Sequence, residues 1–257
     1  MIDDLKILKF GSLNMEFGEN PSISMLKINK ALGRFGDSSI TYIKYKGNNY
    51  IIDTGFANEI DISDKNLTFN ERSLKNIFNQ YDLTFNDIDG IFITHWHTDH
   101  FGNLRLFSNA KIYSFLPDKE IYSEIFNNYD LSRDFSLNID RIAEFYNFSH
   151  LLPVIFLNEK DEFAGCRIFP TPGHTLLHCS LLIEYLKVKI IVAGDAIVSQ
   201  SYFDHDEIWQ YNSGNLGKES CIKSMHKITS IADYIIPGHG HPFQNYKKRY
   251  ININNKK

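Results

Sequence analysis

Apolar and polar positions alternate with a period of two over Ile40-Thr41-Tyr42-Ile43-Lys44-Tyr45 and again over Asn49-Tyr50-Ile51-Ile52-Asp53. Lys46-Gly47-Asn48 lies between them, so the pair predicts a β-hairpin. The spacing lengthens to three and four over residues 70–81, where Leu74, Ile77, Phe78 and Tyr81 mark one face of an amphipathic helix. The short apolar run Ile88 to Thr94 predicts a strand that delivers the chain into His95-Trp96-His97-Thr98-Asp99-His100, and Gly102-Asn103-Leu104 is expected to open a helix. Residues 117–150 have a helical pattern crowded with aromatics and interrupt the strand rhythm, as a cap over a site does. Strands return at 166–170, 179–185 and 189–193, a helix is expected over 217–231, and a last strand over 234–236 ends at Pro237-Gly238-His239-Gly240. The polar stretch Lys247 to Lys257 is expected to fray. No repeat or Pro/Gly linker breaks this order, so one domain is expected over residues 1–257.

With 257 residues, 43% of them hydrophobic, the chain can bury one large core. The balance of 27 basic against 31 acidic residues gives a formal charge of -4, which supplies no global field for polyanions. Met1 to Lys6 carries two acids where an export signal carries positive charge, and no run reaches the length of a membrane span. A soluble, cytoplasmic protein with no membrane partner is the expectation. Cys166, Cys179 and Cys221 are too widely spaced for a metal knuckle or a disulfide framework and read as small buried hydrophobes.

The chemistry is concentrated in a few positions. His95, His97, Asp99 and His100 place four potential metal ligands within six residues, and His95 and His97 point the same way in an extended backbone because side chains repeat every two residues. His174, Asp195 and His239 each follow an apolar strand beside a glycine, in Pro172-Gly173-His174, Gly194-Asp195 and Gly238-His239-Gly240. Strand ends converge on one edge of a layered fold, so these seven residues are candidates for one metal centre. His150, His205, His226 and His241 read as surface or structural residues.

In this order and spacing the residues resemble the metallo-β-lactamase superfamily, whose signature is His-x-His-x-Asp-His followed by a Gly-His, an Asp after a strand and a last Gly-His. The resemblance runs over about residues 38–243. It implies an α/β fold, a four-layer αβ/βα sandwich of two mixed β-sheets with helices on both outer faces. It also implies two divalent ions, zinc first and iron, manganese or cobalt as alternatives. One would be held by His95, His97 and His174, the other by Asp99, His100 and His239, with Asp195 bridging. Asp53 and His178 match positions that support the ligands from behind. Two ions sharing a water bring its pKa toward neutrality, so the implied chemistry is hydrolysis by a bridging hydroxide, with Asp99 as the residue that orients the nucleophile.

The bridging carboxylate points away from true β-lactamases and toward the lactonase, thioesterase and phosphodiesterase branches. Neither the helical glutathione-binding domain of classical glyoxalase II enzymes nor the inserted domain of the large nucleases is expected, since 18 residues follow His239 and 44 positions separate Asp195 from it. A small carboxylic ester, lactone or thioester is the favoured substrate. A phosphodiesterase or ribonuclease is the alternative, and a metal-binding non-enzyme the third reading. Lactonases often place a tyrosine three residues after the bridging aspartate; Val198 stands there, and Tyr202 or Tyr211 are the candidates to replace it. Trp96, Phe101, Phe203 and Trp209 lie near the ligands and, with 117–150, could line a pocket for an apolar group, although aromatics in such positions more often belong to a core. A nucleic-acid substrate would need a basic groove, for which Lys218, Lys223, Lys227 and Lys247-Lys248-Arg249 are the available charges.

Overall fold

The computed structural model describes residues 1–13, 36–56, 69–118, 139–212, 214 and 216–248. The chain enters through β1 (Ile2–Lys9), a short ribbon of β2 (Ser12–Leu13) against β3 (Gly36–Asp37), and the hairpin β4 (Ile40–Tyr45) and β5 (Asn48–Ile52). Helix α1 (Phe69–Gln80), β6 (Gly90–Ile93), the short helix α2 (Thr98–Phe101), β7 (Lys111–Phe115), α3 (Ile139–Phe145) and β8 (Ile155–Leu157) follow. The second half holds β9 (Glu162–Phe163), β10 (Cys166–Pro170), β11 (Cys179–Tyr185), β12 (Val188–Gly194), α4 (Gln200–His205), α5 (Gly217–Ile231), β13 (Tyr234–Pro237) and β14 (Phe243–Gln244).

Among the described residues the strands form two mixed six-stranded sheets, ordered β1-β4-β5-β6-β7-β8 and β14-β13-β12-β11-β10-β9. The parity of each strand sorts its side chains between separate cores, because successive residues face opposite sides. In β6, Phe92 enters the core between the sheets while Ile91 and Ile93 join the outer core that Leu74 and Phe78 of α1 cover. The second sheet repeats the rule. Val192 and Ile236 face inward, whereas Ile191, Ala193 and Ile235 pack under Met225 and Ile228 of α5. Strands buried on both faces read as continuous apolar runs, which explains Gly90-Ile91-Phe92-Ile93. The result is the expected sandwich of two sheets with helices outside both.

Parallel pairing then brings the functional segments together. β5 runs parallel to β6, and β12 to β13, so the C-terminal ends of each pair lie side by side. Asp53 follows β5, Thr94 and His95 follow β6, Asp195 follows β12 and His239 follows β13. Cross-links tie the two sheet edges to each other: Cys179 N donates to Thr94 O at 3.0 Å, and Ser39 N to Gly238 O at 2.8 Å.

Several expectations need correction. The helix expected to open at Gly102 begins four residues earlier, so Asp99 and His100 lie on the helical turn α2 rather than on a loop. A 3-10 turn occupies Leu104–Leu106 instead, because the Asn103 amide is engaged with the carbonyls of Thr54 and Phe56. Of the cap expected over 117–150, residues 119–138 lie outside the described residues; in the remainder, Tyr146 and Phe148 are core residues, with Trp96 stacked on Phe148. Trp96, Phe101, Phe203 and Trp209 are all buried; Trp96 and Phe101 belong to the outer core, whereas Phe203 and Trp209 also line a small cavity with Val198 and Asn212. Lys247 and Lys248, expected to fray, are held by Asp206 at 2.6 Å and Asp233 at 2.6 Å. Residues 249–257 lie outside the described residues.

Candidate metal centre

All seven sequence-predicted residues meet at one place. His95, His97 and His174 form one group whose ligand atoms lie within 4.8 Å of one another, and Asp99, His100 and His239 form a second; His95, His100 and Asp195 form a third that joins them. Asp195 faces both sides. Its Oδ2 is 3.5 Å from His174 Nε2, while its Oδ1 is 3.2 Å from His100 Nε2 and 3.3 Å from His239 Nε2. Asp99 Oδ2 approaches His239 Nε2 at 3.5 Å and His100 Nε2 at 3.9 Å. His97 is exposed and Asp99 partly so, whereas the other five are buried, so among the seven ligand candidates solvent reaches the cluster through His97 and Asp99.

Hydrogen bonds behind the rings fix their tautomers. The Asp53 carboxylate can only accept, so Thr94 Oγ1, 2.9 Å from Asp53 Oδ2, donates to it. The same oxygen then accepts from His95 Nδ1 at 3.1 Å. His100 Nδ1 donates to Asp53 Oδ2 at 2.7 Å, His174 Nδ1 to the Asn212 carbonyl at 2.9 Å, and His239 Nδ1 to the carbonyls of Ser12 and Asp37 at 3.0 and 3.1 Å. Four imidazoles therefore turn Nε2 inward. His97 presents Nδ1, 3.1 Å from His95 Nε2 and 2.7 Å from His174 Nε2.

This donor set fits a cation. An N–H on His97 Nδ1 can serve only one of the two facing lone pairs, whereas a cation among the three serves all of them. His100 Nε2 and Asp195 Oδ1 are fully buried and lie 3.2 Å apart, yet neither makes a hydrogen bond of good geometry, to the other or to any third group. Leaving such groups unsatisfied is costly, and a divalent ion supplies what both lack.

The electrostatics divide along the same line. Burial, reinforced by the neighbouring imidazoles, drives His95 well below the usual imidazole range and brings His174 down to about 4. Burial alone would depress His100 and His239 too. The charges of Asp53, Asp195 and Asp99 overcome it, holding His100 well above its ordinary value and His239 at about 9. Burial raises Asp195, but the paired His239 and His100 reverse that and hold its carboxyl well below the carboxylate range. One half of the cluster is thus ready to receive a cation, and the other exchanges protons for one.

His178 is fully buried beside the cluster, its ring centroid 5.0 Å from that of His95. Ser180 Oγ donates to Ala193 O at 2.8 Å and so accepts from Thr171 Oγ1, which in turn accepts from His178 Nδ1 at 2.8 Å. His178 is accordingly a neutral Nδ1–H ring that borders the ligands without joining them. Gly194, with φ +51°, backs onto it; a Cβ there would meet His178 Nε2 at 2.9 Å. His150, His205, His226 and His241 are exposed, as expected. Tyr202 is buried with Val198, Leu13 and Trp209, whereas Tyr211 is exposed. Sequence reasoning missed Thr94 and Asn212. Thr94 announces itself only by standing before His95, and Asn212 carries no signal at all.

The family model of the metallo-beta-lactamase superfamily matches residues 33–241. Metallo-beta-lactamase domain-containing protein 1 of Xenopus laevis is 32% identical over 159 residues, 62% of this chain and 56% of that protein. The chain thus spans about half the length of the curated relatives it matches. Among solved structures, a Thermotoga maritima protein described as a putative metallo-beta-lactamase aligns with TM-score 0.59 at 21% identity, covering 94% of this chain and 98% of that one. A quorum-quenching N-acyl homoserine lactone lactonase aligns with TM-score 0.61 at 17% identity, covering 93% and 92%. With more than half of its length matched by the family model, and the motif residues gathered at the strand ends, the chain belongs to the metallo-β-lactamase superfamily.

Proposed function

We propose that the chain is a hydrolase with two divalent ions, zinc in the first instance, acting on a small carboxylic ester, lactone or thioester. The observation that carries this reading is Asp195, which turns one carboxylate oxygen to the side of His174 and the other to His100 and His239. His95, His97 and His174 would hold one ion and Asp99, His100 and His239 the other. Two ions held by these residues would supply Lewis acidity and would lower the pKa of a water shared between them. The residues of the chain do the rest. Asp53 and Thr94 keep the rings of His95 and His100 oriented, and Asp99, partly open to solvent, would accept a hydrogen bond from the attacking water.

An ester or lactone ranks above a phosphodiester because of the charges. Lys218 pairs with Glu207 at 3.0 Å and Lys223 with Glu219 at 2.9 Å, while Lys227 bonds the Pro170 carbonyl. With Lys247 and Lys248 also held by acids, these lysines offer little to a nucleic-acid backbone. The structural likeness to an N-acyl homoserine lactone lactonase supports the same choice.

The test is elemental analysis of chelator-free protein, with assays on a lactone, a thioester, a β-lactam and bis-p-nitrophenyl phosphate and an Asp195→Ala control. Near two ions per chain with chelator-sensitive lactone or thioester turnover is expected. Turnover of the phosphodiester alone would move the reading to the nuclease branch, and a folded protein that takes up no metal would remove its basis.

A further inference from the structure

We infer that Asn212 is a positioning residue that joins the two loops bearing His174 and Asp195, and so sets how the ion on the His95, His97 and His174 side is held. This rests on the binuclear reading above. His174 stands on the loop between β10 and β11, and Asp195 on the loop after β12. Pairing of β11 with β12 and the Ser180 Oγ bond to Ala193 O set the bases of the two loops, and a further link is needed to set their tips. Asn212 spans the gap with two bonds: its carbonyl accepts His174 Nδ1–H at 2.9 Å, and its side-chain amide donates to the Asp195 carbonyl at 2.7 Å. The amide orientation is set by its partner, because Oδ1 facing another carbonyl would be repulsive.

The turn that presents Asn212 is itself anchored. Asn212 N donates to Trp209 O at 2.8 Å, and Trp209 is buried against Val198 and Tyr202. On the other side, Gly214 N donates to Gly173 O at 3.2 Å, and a Cβ on Gly214 would lie 2.2 Å from His174 O, so the turn is pressed against the ligand's own backbone. Without the side-chain amide, the Asn212 carbonyl loses its tie to Asp195 and the ring of His174 loses a fixed acceptor. His100 and His239 have their own supports in Asp53, Ser12 and Asp37, and these bonds do not involve Asn212. Loss should therefore fall most heavily on the ion at the His95, His97 and His174 side, because only the tie through Asp195 connects Asn212 to the other.

The experiment is a Co²⁺ titration of the metal-free full chain, followed by visible absorbance, for wild type and Asn212→Leu, which keeps the volume and removes the donor. Wild type is expected to fill two sites. In the variant, one site should weaken about 10- to 100-fold, the usual effect of removing a partner behind a ligand, while the other stays within about threefold. Melting temperatures of the metal-free proteins are read alongside; Asn212→Ser serves as the milder variant should Asn212→Leu not fold. Two unchanged affinities, or a loss shared equally by both sites in step with a fall in melting temperature, would overturn the inference while leaving the binuclear reading intact. A wild type that takes up no Co²⁺ would overturn both.

Discussion

Asp53 accepts the Nδ1–H of His100 at 2.7 Å on the same carboxylate oxygen that receives the Thr94 hydroxyl. Through Thr94 it also fixes His95, so one carboxylate orients a histidine from each half of the cluster. Asp53 holds φ 58°, a left-handed conformation that Asp tolerates better than most residues, and its second oxygen accepts Thr94 N at 2.9 Å. Asp53→Asn keeps the shape but loses the charge, and Asp53→Ala loses both. Metal affinity should fall about 10- to 100-fold, more for Ala, when measured by competition with a chromogenic chelator. Equal affinity in all three proteins would show that the rings are held by other means.

Gly238 meets Asp195 at close quarters. A Cβ on Gly238 would sit 2.1 Å from Asp195 Oδ1, and the backbone has no room to retreat because Gly238 N donates to Gly194 O at 3.0 Å and Ile197 O at 3.1 Å. The crowding of Gly238→Ala should cost about 1–3 kcal/mol, and the displaced carboxylate should cut the metal content well below that of wild type. Circular dichroism and elemental analysis on one preparation separate the two effects. A folded variant with full metal content would mean that Asp195 has freedom the packing does not suggest.

Much of this was legible in the chain itself, for a physical reason. Strand parity is written in the sequence, so Ile51, Ile52, Ile91 and Phe92 declare both their strands and their double burial. The helix over 217–231 and the seven clustered residues were equally readable, since spacing and glycine placement are local properties. What the chain does not display is which distant segment supports which ring. Asn212 lies far from both His174 and Asp195 in sequence, and its neighbours Tyr211 and Trp209 give no hint of the turn. Trp96 and Phe101 misdirect for the opposite reason: they flank ligands in sequence, but Trp96 alternates with His95 and His97 and Phe101 ends the turn α2, and both fill the outer core.

The core between the sheets carries the geometry of the cluster. Phe92 is fully buried there, its ring 5.3 Å from Phe163, and its carbonyl accepts Asp53 N at 2.9 Å. Phe92→Ala should destabilise the protein by about 3–5 kcal/mol, whereas Ile91→Val in the outer core should cost only about 0.5–1.5 kcal/mol. Urea unfolding monitored by fluorescence measures both. Similar small losses would indicate that the sheets close over the gap.

Acid and alkali should each weaken the metal-free protein. His100 is held well above the ordinary imidazole value of 6.5, and His239 at about 9, because acidic neighbours outweigh burial. A raised value means the folded state keeps a proton the unfolded chain gives up, so the stabilisation is complete below pH 6.5 and disappears as pH rises through about 9. His95, His174 and His178 behave oppositely. Burial depresses them, His174 to about 4, so the unfolded chain binds protons that the fold refuses, and stability falls as pH drops below 6.5. The melting temperature of chelator-treated protein should therefore peak near pH 6.5 and decline on both sides. With divalent ions present, the cations take the place of the protons on His100 and His239, and the alkaline decline should vanish, while acid still expels the metal. Thermal melts from pH 5 to 9.5, with and without chelator, provide the comparison. A metal-free melting temperature that keeps climbing from pH 7 to 9 would mean that His100 and His239 are neutral in the fold, and that cation uptake there displaces no protons.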